Sequence, residues 1–383
     1  MRTHWLAAAA YSGMFGFGMV MALLGAVLPF LMQRIGFDIA AAGTLFLPMN
    51  ATMLVLSFAI GPLLDHFGMK PPLIVGPILV AAALAMMAAA KDYGALMGSV
   101  VVLGAGGAGL NSTTNTLIAD LHSDARRKNA ALNLLGVFFG FGALFVPFTI
   151  GALIHRIGLQ GVLWCAIGLV LVSMLIALVQ RFPEPKQHGF RFSDMAPLLK
   201  NPVVLVLACL LFFESGNEFI LSGFTSTYLT REVHLADTTA SYLLAALWGS
   251  IMVARIASSR ILLVMRGESL IVASGAGTAL GVVLLMRAHG PLLAWIAVLT
   301  IGVSSAAIFP TTLGLAAARF EKYSGSVFGI LIAVALIGGM TLPWLLGHVA
   351  AAFTLRAGLI IVIVDAVAII ALLMLYRSRN VAA

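Results

Sequence analysis

The sequence predicts an all-α integral membrane protein with twelve transmembrane helices in two pseudo-symmetric six-helix bundles. Three observations predict this class: the composition, the spacing of apolar stretches and an internal repeat. Hydrophobic residues make up 61% of the 383 residues, charged residues make up 9%, and the mean hydropathy is +1.08. A soluble core does not require so many apolar residues, so most of the chain is expected to lie in a bilayer.

The apolar stretches set the number of helices. A spanning helix takes about 20 apolar residues, and about twelve such stretches can be placed, which leaves little sequence for domains outside the membrane. The first directly follows the segment 1–4 and is too long for a secretory signal peptide, so it is expected to be the first span. The centres lie near residues 18, 53, 80, 108, 141, 170, 216, 250, 276, 304, 336 and 365.

Basic residues alternate between loops as the positive-inside rule requires. With both termini cytoplasmic, each predicted external loop carries one basic residue, and the others of the 22 lie at the cytoplasmic side. The net charge of +8 then reflects topology, and the dispersed basic residues argue against a nucleic-acid partner. We expect a multi-pass protein of the cell (inner) membrane. The external basic residues are Arg34, Lys91, Arg156, Arg231, Arg287 and Arg356.

The longest polar interruption divides the chain into halves. It runs over residues 181–202 and contains four prolines and four basic residues. We therefore expect an N-terminal six-helix bundle at 1–181, a cytoplasmic linker at 182–201 and a C-terminal six-helix bundle at 202–383.

An internal repeat supports that division. Segments 113–114 and 311–312 both read Thr-Thr, and segments 147–151 and 343–347 both read Pro-x-x-x-Gly. The fourth and fifth helices thus resemble the tenth and eleventh. Parallel repeats of this kind build a central site between two halves that rock to give alternating access.

Two acids, Glu214 and Glu218, lie four residues apart in the predicted seventh helix, with Asn217 between them. A carboxylate at the bilayer centre costs a few kcal/mol or more, which makes it a functional-site hypothesis. At about 1.5 Å per residue, Glu214 lies roughly 18 Å from the helix start near Pro202, close to the midplane. Exclusion of water and a like charge one turn away both favour proton uptake, so the pair is predicted to couple transport to protons. The alternative is that either acid only joins helices by hydrogen bonds.

The loop between the second and third helices, GPLLDHFGMK at 61–70, resembles the loop signature of the major facilitator superfamily. Glycine permits a tight turn and close helix contact, and Asp65 can cap a helix or pair with a basic residue. The resemblance implies a conformational latch, which is weaker or pH-dependent here because His66 and Met69 replace basic residues. We group Arg255, near the inner end of the eighth helix, with it. The latch residues are Gly61, Asp65, Gly68, Lys70 and Arg255.

A narrower resemblance links the chain to the fucose permease and its sugar-transporting relatives. It rests on residues 109–115 and 131–143, on 309–312 and 338–344, and on Gly-Asn-Glu at 216–218. It implies a monomeric, proton-coupled importer of a sugar or a similar polar molecule. Such symporters carry acids in the first and fourth helices, whereas here the first helix has none and the fourth has Asn111. Proton coupling would then have moved to the seventh helix.

Sugar recognition requires directional hydrogen-bonding groups and an aromatic face for stacking. Amide, hydroxyl and indole side chains within the predicted spans supply both, although helix packing is the alternative use of each. The predicted substrate-binding residues are Asn50, Asn111, Asn115, Asn217, Thr311, Thr312, Trp248 and Trp344.

Common catalytic motifs are absent from the sequence. No Walker A, H-E-x-x-H or G-x-S-x-G pattern occurs, and the G-x-G-x-x-G at 104–109 follows no strand, so neither an enzyme nor a hydrolysis-driven pump is expected. Cys165 and Cys209 lie within spans and suggest no metal site or disulfide. We expect no cofactor beyond a coupling ion, a proton or sodium.

Two other functions remain open from the sequence. One is a proton-coupled exporter of drug-like or cationic compounds, which would use the same acids. The other is a membrane-embedded sensor or lipid-moving protein. A further acid, Asp365, lies in the middle of the twelfth helix. We expect it to have a structural partner, because that helix is expected to be peripheral.

Overall fold

The computed structural model describes residues 2–122, 125–182, 184, 198–320 and 324–381. Eleven of the helices formed by these residues are long and apolar enough to cross a membrane. One of the eleven, Ala131–Val179, is interrupted at Gly158, whose φ of 65° and ψ of 177° are not helical, so it comprises two helices. The predicted all-α membrane class and the count of about twelve helices are confirmed.

The helices of the first part of the chain are joined by short loops. Side chains of Asp38 and Asp92 accept hydrogen bonds from the backbone N–H groups of Ala41 and Ala95, which caps the helices that follow. The helices are α1 (Arg2–Ile35), α2 (Ile39–Thr44), α3 (Phe46–Phe67), α4 (Lys70–Ala89), α5 (Tyr93–Leu121) and α6 (Ala125–Val179).

The second part starts with a 3-10 turn at Leu198–Lys200 and a helix capped by Asn201, with Pro202 at its first position. Two apolar spans in this part are each built from two consecutive helices, α10 with α11 and α13 with α14. The helices are α7 (Pro202–Arg231), α8 (Asp237–Ile261), α9 (Gly267–Met286), α10 (Pro291–Ser305), α11 (Ile308–Arg319), α12 (Ser324–Ala352), α13 (Leu355–Gly358) and α14 (Ile360–Val381).

The chain forms two compact units. Unit 1 contains the described residues of 1–37, 48–189 and 237–245, and unit 2 contains those of 38–47, 190–236 and 246–383. The units therefore differ from the predicted halves in two short segments, 38–47 and 237–245. Of the predicted linker 182–201, residues 183 and 185–197 lie outside the described residues.

Small residues allow the helices of unit 1 to approach closely. A Cβ atom added at Gly142 of α6 would overlap the carbonyl oxygen of Phe15 in α1. A Cβ at Gly106 of α5 would lie 2.9 Å from the carbonyl oxygen of Gly76 in α4. Such backbone contacts replace the hydrophobic effect as the source of helix association in lipid.

Unit 2 uses the same principle at equivalent positions. A Cβ at Gly338 of α12 would overlap the carbonyl oxygen of Phe212 in α7. The short helix α2 also packs on α12, where a Cβ at Gly43 would lie 2.6 Å from the carbonyl oxygen of Pro343. Aliphatic side chains of α7, α9, α12 and α14 fill the core of the unit, among them Leu207, Leu211, Ile271, Leu331, Ile369 and Leu373.

Candidate functional site

Unit 2 contains a cleft beside the two acids of α7. About 320 Å³ of atom-free space lies between its walls when the part open to the surroundings is included, and the enclosed part has room for about one water molecule. Three elements form it: α7, α8, and the point where α10 gives way to α11. The lining residues are Glu214, Glu218, Leu221 and Ser222 from α7, Leu247, Trp248, Ile251 and Arg255 from α8, and Ser305 and Ala306.

Helical spacing explains why these side chains share one cleft. Residues three or four apart lie on the same face of a helix, so Glu214, Glu218 and Ser222 face the cleft together. Trp248, Ile251 and Arg255 follow the same spacing on α8. The predicted grouping of the two acids on one face is therefore what the structure shows.

The charged groups of the cleft form a cluster of two acids and one base. Nη2 of Arg255 lies 3.8 Å from Oε1 of Glu218, and these side chains are 29% and 18% exposed. Glu214, one helical turn away, is only 3% exposed. With both carboxyl groups ionised, the three side chains carry a net charge of −1, which a single proton or a single cation neutralises. Apart from the hydroxyl groups of Ser222 and Ser305, the rest of the wall is apolar, so an uncompensated charge is unfavourable there. The apolar lining residues are Leu221, Leu247, Trp248, Ile251 and Ala306.

A break in the tenth span contributes the third wall. α10 ends at Ser305, α11 begins at Ile308, and a turn lies between them. Pro310 explains its position, since proline has no N–H to donate to the carbonyl four residues earlier, that of Ala306, and its ring collides with that carbonyl. In the matching part of the first half, α5 continues unbroken, and Ser112 stands at the equivalent position. Interrupted spans line substrate sites in other transporters.

Ser222 continues the helical face of the two acids. Sequence reasoning missed the other five cleft residues: Leu221, Leu247, Ile251, Ser305 and Ala306. The first three are ordinary apolar side chains and carry no signal. Ser305 and Ala306 carry one, because Pro310 within a predicted span indicates a helix break at the preceding turn.

The structure places the predicted substrate-binding residues of unit 2 in different surroundings. Trp248 is fully buried and lines the cleft. Asn217 is 2% exposed, and its Oδ1 has no hydrogen-bond partner among the described residues. Thr312 Oγ1 donates to the carbonyl oxygen of Ile308 at 2.8 Å. Cγ2 of Thr311 lies 2.9 Å from a Cβ placed at Gly267 of α9, so it packs on that helix.

Trp344, the second predicted tryptophan, does not line the cleft. Its indole is 37% exposed, and its ring centroid lies 4.5 Å from that of His348 on the next turn of α12. Nδ1 of His348 is 2.9 Å from the carbonyl oxygen of Trp344. This aromatic pair is a local feature of one face of α12.

The predicted substrate-binding amides of the N-terminal half lie in unit 1. Asn50 of α3 is fully buried. Nδ2 of Asn115 donates to the carbonyl oxygen of Asn111 at 2.9 Å and to its side-chain Oδ1 at 3.0 Å. The last two amides therefore satisfy part of each other's hydrogen-bonding capacity within α5.

The predicted latch residues lie on α3, on α4 and the turn before it, and on α8. Gly68 has a φ of 78° and makes the tight turn before α4, and Nζ of Lys70 donates to the carbonyl oxygen of Leu178 at 2.9 Å. The expectation of close helix contact at Gly61 is wrong, because a Cβ there would meet no atom within 4 Å. Asp65, one turn after Gly61 on α3, is half-buried. Arg255 lies in unit 2 beside Glu218, so its ion pair belongs to the acid cleft.

The described residues contain no group of three or more His, Cys, Asp or Glu side chains that could hold a metal ion. Both cysteines are free and exposed. The lining of the cleft offers charge compensation and proton exchange at two carboxyl groups, next to an indole ring.

Comparison with known families identifies the fold. The family model described as Major Facilitator Superfamily matches residues 10–340. A mutant of the nucleoside transporter NupG superimposes with a TM-score of 0.82 at 13% identity, covering 99% of both chains. A bacterial homologue of the human lysosomal transporter Spinster superimposes with a TM-score of 0.81 at 15% identity, covering 98% of this chain and 97% of that one.

Sequence relatives are distant and varied. The fosmidomycin resistance protein of Escherichia coli is 22% identical over 55% of this chain, and the vesicular acetylcholine transporter of Rattus norvegicus is 24% identical over 43%. These alignments span 52% and 32% of the two relatives. The TsgA homologue of Erwinia tasmaniensis is 23% identical over 84% of this chain and 82% of its own length.

Proposed function

This chain belongs to the major facilitator superfamily and is a transporter rather than an enzyme, and we propose that it couples transport to protons through Glu214 and Glu218. One observation carries the proposal: the cleft of unit 2 contains two carboxyl groups but only one arginine. A charge imbalance of this kind, in a mostly apolar wall, provides a site for one proton per cycle.

The position of Arg255 gives the two acids different roles. Its guanidinium lies 3.8 Å from Glu218 and compensates that carboxylate. Glu214, the more buried acid, then needs a proton or a cationic cargo for its own compensation. A state open to water tolerates the charged cluster better than a state closed from it. Proton binding therefore changes the relative free energies of the conformations, which is the requirement for coupling.

The lining of the cleft favours a lipophilic cation or a drug-like amine as cargo. The indole of Trp248 lines the cleft beside aliphatic side chains, and indole is the aromatic group that attracts cations most strongly. A proton and a cation would compete for the same net charge of −1, and mutual exclusion of this kind produces antiport. The printed name of one relative, a vesicular acetylcholine transporter, agrees with cationic cargo.

Import of a sugar or similar polar molecule is the second candidate. It is supported by the resemblance of 109–115, 216–218 and 309–312 to fucose-permease-type transporters. Hydrogen bonds of Thr312 to its own helix and of Asn115 to Asn111 reduce the groups that those residues can offer to a sugar. The proton would be carried by the same acids, but cargo and proton would move together.

The membrane, the orientation and the oligomeric state of this transporter are proposed from the sequence. Alternating loop charges support a cytoplasmic position for both termini. The resemblance to the superfamily supports a monomer, which we place in the cell (inner) membrane. Sodium remains the alternative coupling ion, because a carboxylate pair also binds small cations.

Purified protein in liposomes tests the proposal. Labelled tetraphenylphosphonium and labelled hexoses are each offered with a proton gradient of either direction, with a sodium gradient, or with none. Antiport predicts that an outward proton gradient drives accumulation of the cation inside the liposomes. Glu214→Gln and Glu218→Gln should each abolish this accumulation. Glu232→Gln, an acid at the end of the same helix outside the cleft, is the matched control and should retain it.

Each other outcome has a defined meaning. Hexose accumulation that needs an inward proton gradient and is lost in Glu218→Gln would show that the protein is a sugar importer and not an exporter of cations. Accumulation driven by sodium alone would show that sodium is the coupling ion. Full proton coupling in both glutamine variants would overturn the proposal.

A further inference from the structure

The turn that joins α8 to α9 exposes five consecutive apolar side chains, Ile261–Met265. Leu263 is 78% exposed and Val264 is 90% exposed. A contiguous apolar surface of this kind is unfavourable in water and marks a contact with a partner or a membrane. We refer to residues 261–265 as the 261–265 turn.

Helix lengths place this turn at the membrane boundary. α8 has 25 residues, and at about 1.5 Å per residue it is roughly 37 Å long. The hydrocarbon core of a bilayer is about 30 Å thick, or about 40–45 Å with the headgroups. A turn at the end of α8 therefore lies among the headgroups.

The backbone of the turn suits an environment with little water. The N–H of Leu262 donates to the carbonyl of Ser258, that of Leu263 to Arg260, and those of Val264 and Met265 to Ile261, at 2.8–3.1 Å. Backbone N–H groups without a partner are costly in lipid, and the N–H groups of residues 262–265 are satisfied internally.

Two arginines bracket the turn. Arg260 is exposed, and the side chain of Arg266 is 82% exposed. Nε of Arg266 lies 3.9 Å from Oε2 of Glu268, a separation too long for a hydrogen bond, so its guanidinium remains accessible to other acceptors. Planar guanidinium groups bind phosphate through paired hydrogen bonds.

We propose that the 261–265 turn is an interfacial anchor for anionic phospholipid. Leu263 and Val264 insert between the headgroups, and Arg260 and Arg266 bind the lipid phosphates on either side. Burial of apolar area and attraction to anionic lipid add up in such anchors. A protein partner is less favoured, because a five-residue turn at headgroup depth offers little area for a specific protein interface.

Site-directed fluorescence tests the anchor in the full-length protein. Cys165→Ala and Cys209→Ala remove both native thiols, and Val264→Cys carries a polarity-sensitive fluorophore. The matched control is Ala236→Cys, at an exposed residue of the loop between α7 and α8. The labelled proteins are placed in nanodiscs of phosphatidylcholine with or without phosphatidylglycerol. Quenching is measured with aqueous iodide and with lipids that carry a nitroxide just below the headgroup.

The label at 264 should be quenched by the lipid nitroxide and protected from iodide, with a blue-shifted emission that increases with phosphatidylglycerol. The control at 236 should show the opposite pattern. Arg260→Gln combined with Arg266→Gln should remove the dependence on phosphatidylglycerol. Iodide quenching at 264 in both lipid mixtures would overturn the proposal. Protection from iodide in native membrane vesicles but not in nanodiscs would also overturn it and would indicate a protein partner. Protection that does not depend on anionic lipid would overturn it as well.

Discussion

The guanidinium of Arg255 on α8 lies 3.8 Å from the carboxylate of Glu218 on α7. Their side chains are mostly buried, with Glu214 one turn further along α7. Removing one member of a buried ion pair is costly because the other charge is left uncompensated. The effect of a substitution in this cluster therefore depends on the net charge that it leaves and not only on which residue is changed.

Arg255→Gln should be more harmful than the double variant Arg255→Gln with Glu218→Gln. The single change leaves two carboxyl groups without a cation, whereas the double change leaves only Glu214, which still binds one proton. Coupling energies between contacting residues are about 0.5–3 kcal/mol, so the double variant should recover several-fold in gradient-driven uptake. Uptake rates of the wild type, both single variants and the double variant complete the cycle. Strictly additive losses would show that the pair does not act as a unit.

Gly142→Ala and Gly338→Ala should destabilise the protein by similar amounts. Each glycine lies against the backbone of the first long helix of its half, at the carbonyl of Phe15 or of Phe212, and a methyl group would overlap that carbonyl. Overpacking of this type costs about 1–3 kcal/mol. Thermal unfolding in detergent measures the effect. Gly136→Ala and Gly314→Ala are the controls, since a Cβ there meets no atom within 4 Å, and unfolding midpoints equal to theirs would contradict the prediction.

The sequence predicted the membrane class, the helix count and the pair of acids, because hydropathy and helical spacing are local properties. The repeat was visible for the same reason: Gly142 and Gly338 each lie five residues before the matched prolines, Pro147 and Pro343. The surroundings of Arg255 and Thr311 were not predictable. Arg255 was interpreted from its distance along α8 and not from the face it shares with Trp248. Thr311 follows the break at Ala306, which changes the face that it presents, so that it packs on α9.

Gly68→Ala and Gly61→Ala should have opposite effects, although both glycines belong to one sequence motif. Gly68 has a φ of 78°, a conformation that costs other residues roughly 1–2 kcal/mol. Gly61 lies within α3 with space around it, so alanine should raise helix stability by up to about 1 kcal/mol. Unfolding midpoints in detergent should fall for the first variant and be unchanged or higher for the second. Equal losses would indicate a contact of Gly61 in another conformation of the transporter.

Asp365→Leu should leave transport unchanged and should not lower stability. Asp365 is 3% exposed in α14, and its Oδ2 has no hydrogen-bond partner within the described part of the chain. Replacing an unsatisfied buried polar group by an apolar one of similar size is often neutral or stabilising. Uptake and thermal unfolding are measured together, with Asp365→Asn as the isosteric comparison. Loss of proton coupling in both variants, with the unfolding midpoint retained, would place a second proton site on α14.

Pro310→Ala should reduce transport while raising stability. Alanine restores the N–H that the carbonyl of Ala306 lacks and removes the clash of the proline ring, so α10 and α11 can join into one helix. Proline in a helix interior costs about 3 kcal/mol relative to alanine, and part of that should be recovered as a higher unfolding midpoint. A continuous helix would withdraw Ser305 and Ala306 from the wall of the acid cleft, so cargo uptake should fall. Pro291→Ala is the matched control, because proline at the first position of α10 is already compatible with a helix. Normal transport in a stabilised Pro310→Ala protein would show that the break serves folding alone and that the cleft does not depend on it.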